Sequence, residues 1–146
     1  MTAPLKNPAQ LGARLGLAVV RRLLLVDAPP ELVRLVLSAH PAESEAPELA
    51  EADRLRSVKT TFDGILLWRE DRVGSQSVLE TLARKLEPGG RLWVVTAMRK
   101  VTGPRTPAIH RLGLADLTRV LEKAGLIHDL EARVSSWHVG YRFVRP

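Results

Sequence analysis

Apolar positions in this chain follow two patterns, short unbroken runs and stripes at helical spacing. The clearest run lies in Phe62-Asp63-Gly64-Ile65-Leu66-Leu67-Trp68. Consecutive aliphatics of that length suit a strand covered on both faces. Val78, Leu79, Leu82, Ala83 and Leu86 then recur on one helical face. Pro88-Gly89-Gly90 is expected to stop that helix, because glycine takes the positive φ of a helix exit. Leu92-Trp93-Val94-Val95 reads as the next strand. Upstream, Arg21-Arg22 steps into Leu23-Leu24-Leu25-Val26, and Asp27-Ala28-Pro29-Pro30 breaks the run. Periodicity alone leaves that run open between a buried strand and a buried helix, and the turn that follows favours the strand. Glu31 suits the first turn of a helix carried by Leu32, Leu35, Val36 and Ala39, ending near His40-Pro41.

Residues 42–50 are acidic and irregular, with Glu43, Glu45 and Glu48 around Pro47, and read as a solvated loop without a strand. Residues 48–58 fit a short helix with Leu49, Ala52 and Leu55 inward. Residues 99–111 form a long loop with Gly103, Pro104 and Pro107. A helix follows with Leu114, Leu117, Val120, Leu121 and Ala124 on one face, ended by Gly125. Residues 127–134 and 137–144 flank Ser135-Ser136 as a hairpin. Alternation of this kind predicts an α/β fold of three layers. A mostly parallel sheet carries helices on both faces and an antiparallel C-terminal hairpin. One domain is expected over 1–146, with 1–10 a loose lead.

Composition narrows the chemistry. The absence of cysteine excludes disulfides, thiolate metal sites and cysteine nucleophiles, and fits a cytoplasmic protein. No run reaches the roughly 20 apolar residues of a membrane span. Of the 22 basic residues behind the net charge of +6, 17 are arginine. Guanidinium forks suit phosphate and carboxylate, so nucleic acid is a partner class to test. A GC-rich genome gives the same arginine bias. Asparagine and glutamine are confined to Asn7, Gln10 and Gln76, which is compatible with a thermophile. No pair among His40, His110, His128 and His138 has the i, i+4 spacing of a helical metal site. All are read as surface or loop histidines, and no metal is expected. Asp63 reads as a cap or an arginine partner. Ser135-Ser136, lacking Gly-x-Ser-x-Gly, reads as a turn. Aromatics at 4% make a base-stacking platform weak, and Trp68, Trp93 and Trp137 are expected to pack.

The strongest site candidate is the loop after the Val95 strand. Arg99, Lys100, Thr102, Gly103, Arg105, Thr106 and Arg111 supply cations, hydroxyls and a glycine where α/β sheets bind ligands, beyond the carboxyl ends of parallel strands. Phosphate, carboxylate or a nucleic-acid backbone suits such a set. A plain solvated basic loop is the other reading. Gly-x-x-x-x-Gly-Lys is absent, so it is not a Walker loop.

Phe62-Asp63-Gly64-Ile65, the helix running into Leu86-x-Pro88-Gly89-Gly90-Arg91-Leu92, and Asp116-Leu117-x-x-x-Leu121-x-x-Ala124-Gly125-Leu126 together resemble S-adenosylmethionine-dependent methyltransferases. Leu15-Gly16-Leu17, Asp27-Ala28-Pro29-Pro30 and the ending Trp137-x-x-Gly140-x-Arg142-Phe143-Val144 are similar to small bacterial proteins grouped as a domain of unknown function. The resemblance implies a Rossmann-like fold. In the methyltransferases an acid and alternate glycines follow the first strand and let the backbone approach the donor. Here Asp27 matches the acid, but Pro29, Glu31 and Val33 stand at the glycine positions and are expected to fill the donor's space. Glu43 and Glu45 match the ribose-gripping carboxylate only by position. These departures from the family's pattern therefore imply no cofactor. The expectation is a non-catalytic binding or assembly domain that acts through an anion-accepting basic loop or through a protein partner. The alternatives are a nucleic-acid-binding module and a methyltransferase with an atypical donor pocket.

Overall fold

The computed structural model describes residues 4–39 and 45–146. Its strands are β1 (Leu23–Val26), β2 (Glu48–Ala50), β3 (Phe62–Trp68), β4 (Leu86–Ala97), β5 (Ile127–Arg133) and β6 (His138–Val144). Its helices are α1 (Pro8–Leu15), α2 (Pro30–Ala39), α3 (Ser75–Arg84) and α4 (Leu114–Lys123). They build one sheet in the order β2-β1-β3-β4-β6-β5. β2, β1, β3 and β4 run parallel, and β6 pairs antiparallel with both β4 and β5. This is the expected α/β architecture.

Alternation along the central strands sorts the core into two faces. Leu24, Val26, Ile65, Leu67, Leu92 and Val94 pack with Leu79 and Leu82 of α3 and with Leu117 and Leu121 of α4. Leu23, Leu25, Leu66, Trp93 and Val95 pack with Leu11 and Leu15 of α1 and with Leu32 and Val36 of α2. Each fully buried leucine contributes about 2 kcal/mol of transfer free energy. The buried pattern of β1 is therefore what a strand between two helical layers requires.

Three local expectations differ from the structure. Part of the lead over 1–10 is tied down: Leu5 bridges Ser135, and α1 starts at Pro8, a residue pre-set for a first helical turn. The acidic stretch holds a strand, β2, where a loop and a helix were expected. Leu49 of β2 is exposed, so pairing with β1 rather than burial holds it. Ala52–Ser57 then forms a 3-10 turn that buries Leu55. The helix before Pro88-Gly89-Gly90 stops at Arg84, and Leu86 already pairs with Phe62. Gly89 and Gly90 instead exchange backbone hydrogen bonds with Arg145 inside an irregular stretch of β4.

Gly64 has a close-approach role in mid-strand. A methyl built there would lie 2.5 Å from Cγ1 of Val20, so only glycine lets the segment before β1 cross β3. Asp63 beside it accepts hydrogen bonds from the N–H groups of Arg21 (2.9 Å) and Arg22 (2.7 Å), the cap expected of it. No helix among the described residues is long and apolar enough to cross a membrane.

Candidate functional site

Parallel pairing puts the carboxyl ends of β1, β2, β3 and β4 along one edge of the sheet. The loops after β3 and β4 are laced together there. Arg72 N–H donates to His110 O and Leu112 N–H to Glu70 O, both at 2.8 Å. The β4 loop is also tied to the hairpin, since Met98 N–H donates to Trp137 O at 2.8 Å.

Within this loop the structure separates residues that the sequence had grouped. Arg111 is buried. Its Nε donates to Thr106 O at 2.8 Å, and its Nη1 lies within reach of the carbonyls of Met98 (2.7 Å), Val101 (2.6 Å) and Arg99 (3.3 Å). Burying a cation costs free energy unless its donors are used, and here the loop's own carbonyls use them. Arg111 is thus a brace, not a ligand-facing cation. Thr106 is also engaged, donating Oγ1–H to Glu70 Oε1 at 3.1 Å. Gly103 lies against Trp137, where a Cβ would meet Cε2 at 1.9 Å. Arg99, Lys100, Thr102 and Arg105 are exposed. Their side chains make no hydrogen bond or ion pair with any described residue.

Below the loop runs a buried polar chain that the sequence did not reveal. Ser135 Oγ accepts the N–H groups of Trp137 (3.1 Å) and His138 (3.0 Å), so its own proton goes to His138 Nδ1 at 2.8 Å. The Nε2–H of His138 then donates to Glu70 Oε2 at 2.6 Å. His138 is 2% exposed and tilts against the Trp68 ring at 4.6 Å. It is therefore not the surface histidine expected. Ser135 is fully buried and serves as the expected turn. His110 is exposed, and His40 lies outside the described residues. No group of three or more metal-ligating side chains occurs among the described residues.

The switch-point crevice lies between β1 and β3, where successive connections leave in opposite directions. Asp27 sits there with φ 55°, a conformation aspartate tolerates. Its carboxylate accepts the N–H of Ala52 at 3.3 Å, and its own N–H donates to Ala50 O at 3.0 Å. Two clefts open beside this turn. One cleft of about 420 Å³ is lined by Asp27, Ala28, Val33 and Glu51 among others. A second, of about 690 Å³, is lined by Asp27, Glu51, Asp53, Arg56, Arg69 and Thr81 among others. Pro30 starts α2 at once, which carries Glu31 onto an exposed first turn. Only Val33 of the residues at the glycine positions lines these clefts. Glu51, missed in the sequence, is the acid directly beyond β2. Glu45 instead pairs with Arg22 at 3.1 Å, and Glu43 lies outside the described residues.

Shifted ionisations fall away from both places. The hydrogen bond from Arg142 holds the Asp129 carboxyl below its ordinary range, and the same bond raises Arg142. Burial raises Tyr141. The bond to Arg22 lowers Glu45 at the surface.

Comparison of the fold with solved structures gives a consistent match. A SAM-dependent methyltransferase from Aquifex aeolicus is similar at 15% identity and TM-score 0.66, over 96% of this chain and 90% of that one. Magnesium protoporphyrin IX methyltransferase from Synechocystis PCC 6803, with bound SAH, is similar at 13% identity and TM-score 0.66, over 95% and 80%. The N-methyltransferase NodS from Bradyrhizobium japonicum WM9 is similar at 16% identity and TM-score 0.60, over 97% and 98%. No family model and no curated protein matches the sequence. The fold is that of the methyltransferases.

Proposed function

We propose that this chain is a non-catalytic binding domain on a methyltransferase-like scaffold, and that its basic loop accepts an anionic ligand or an anionic partner surface. The supporting observation is the construction of the loop. A buried arginine braces its backbone, while Arg99, Lys100 and Arg105 stand exposed without acidic partners. A braced loop presents its cations with less ordering cost than a loose one. The donor turn points the same way. Pro29 and Pro30 have no N–H to offer, and that of Asp27 is spent on Ala50.

Calorimetry with citrate and with inorganic pyrophosphate at low ionic strength tests this reading. The wild-type chain is expected to bind. Replacing Arg99, Lys100 and Arg105 together by alanine is expected to weaken binding at least tenfold with little change in Tm. Unchanged affinity overturns the assignment.

A second reading, a methyltransferase with an atypical donor pocket, is favoured by the open cleft of about 690 Å³ between Asp27 and Arg69 and by Glu51 at its rim. Titration with S-adenosylmethionine decides between the two. A Kd below about 100 μM, about 5.5 kcal/mol, replaces the first reading with the second.

A further inference from the structure

We propose that the loop over residues 99–106 recognises a terminal phosphoryl group, carried on a diphosphate or a phosphomonoester, and holds it by main-chain N–H groups as well as by side-chain charge. The carbonyls of Met98, Arg99, Val101 and Thr106 turn inward to the Arg111 guanidinium. The carbonyls of Arg99, Val101 and Thr106 are thus consumed inside the protein, whereas the loop's N–H groups are not. The N–H groups of Arg99, Lys100, Thr102, Gly103, Arg105 and Thr106 donate to no described acceptor. Successive main-chain N–H groups in a turn make an anion host of the kind used for phosphate, and Arg99 and Lys100 stand in such a turn.

The chemistry of the anion follows from that donor set. A terminal phosphoryl carries about −1.5 to −2 charge on three strong acceptor oxygens. A phosphodiester offers two free oxygens and a single charge, and a carboxylate is planar with two. Of the nearby acids, Glu70 is engaged by Thr106 and His138, and Asp71 accepts the N–H of Val73.

The proposal rests on the reading of the loop as the anion site, and one titration separates the two. The isotope-labelled full chain is titrated with inorganic pyrophosphate, a phosphoserine peptide, dimethyl phosphate and citrate, following backbone amide resonances. Amides of residues 99–106 are expected to move. Pyrophosphate or the phosphopeptide is expected to bind at least tenfold tighter than citrate or dimethyl phosphate. Which of the two binds better tells whether the group arrives on a small molecule or on a protein. Arg111→Lys, which leaves the exposed cations in place, is expected to weaken that binding at least tenfold; should it fail to fold, the wild-type amide map still decides. If citrate binds as tightly, or the loop amides stay still while the triple alanine variant loses binding, the phosphoryl claim falls and the anion loop stands. If the triple variant binds like wild type, both fall.

Discussion

Arginine is put to opposite uses in this molecule, and only the fold tells them apart. Arg111 and Arg145 are spent on backbone carbonyls; Arg145 reaches Leu86 O at 3.0 Å and also meets Ala83 O. Arg99 and Arg105 face solvent. In the sequence all four are the same residue type, and three of them share one loop. The Gly103 contact gives a sharp test of the loop's seat. Gly103→Ala drives a methyl into the Trp137 ring, and a ring edge does not yield as an alkyl chain does. Overpacking of this kind costs about 1–3 kcal/mol. Thermal denaturation should show a Tm lowered by about 2–4 °C per kcal/mol, with the Trp137 emission changed. An unaltered Tm and spectrum would mean that the loop does not rest on that ring. The Asp129–Arg142 pair is the residue-scale pH probe. Its oxygens accept from Nε at 2.9 Å and Nη2 at 2.6 Å, and the Asp129 pKa is lowered in the folded state. A lowered folded pKa adds stability that is present above the unfolded value near about 3.9. That stability is lost as pH falls through the folded value. Asp129→Asn should therefore cost about 1 kcal/mol at neutral pH, allowing for solvent screening. Denaturant titrations of the two proteins should converge in acid.

At the scale of elements, the crossing of Val20 over β3 is a constraint that composition hides. Gly64→Ala places its methyl 2.5 Å from Val20 Cγ1 and should destabilise the fold by about 1–3 kcal/mol. Val20→Ala removes the obstructing methyls, so Gly64→Ala should cost much less in the Val20→Ala background than in the wild type. A double-mutant cycle reads the coupling directly, and additive effects would place the strain elsewhere. What was legible in the sequence follows the same logic. β1, β3 and the core of β4 were visible because their burial on both faces writes unbroken apolar runs. α2, α3 and α4 were visible because one buried face writes a stripe. β2 wrote neither, since Leu49 is exposed and the strand is held by β1's backbone. α1 was obscured because alanine and glycine fill the positions around Leu11 and Leu15. The Glu70–His138 contact bridges 68 residues, and His138 occupies an ordinary alternating position in β6, so no local pattern marks it.

For the whole molecule, the net charge of +6 matters less than its arrangement along the carboxyl edge. Asp27, Glu51 and Asp53 lie beyond β1 and β2, whereas Arg99, Lys100 and Arg105 follow β4. Neighbouring strands are about 4.8 Å apart, so the acids stand on the order of 10–14 Å from the loop. That distance is close to the Debye length of about 8 Å at physiological salt, so each group acts mainly on what lies directly above it. A small anion meets the cations alone. A nucleic-acid strand lying along the edge meets the cations at one end and, at the other, Asp27, Glu51 and Asp53 interleaved with Arg54, Arg56 and Arg69. Single-stranded DNA should therefore bind weakly, through the few phosphates the loop can neutralise. With about 0.7 counterions released per phosphate, a plot of log affinity against log salt should have a slope no steeper than about −2. The Arg99, Lys100 and Arg105 alanine variant should flatten it further. Replacing Asp27, Glu51 and Asp53 by their amides should strengthen binding, because Arg54, Arg56 and Arg69 at that end are then unopposed. Fluorescence anisotropy over a salt series measures all three. A slope of about −4 or steeper in the wild-type chain requires a longer cationic track than this edge provides, and would make nucleic-acid binding the better description of the protein.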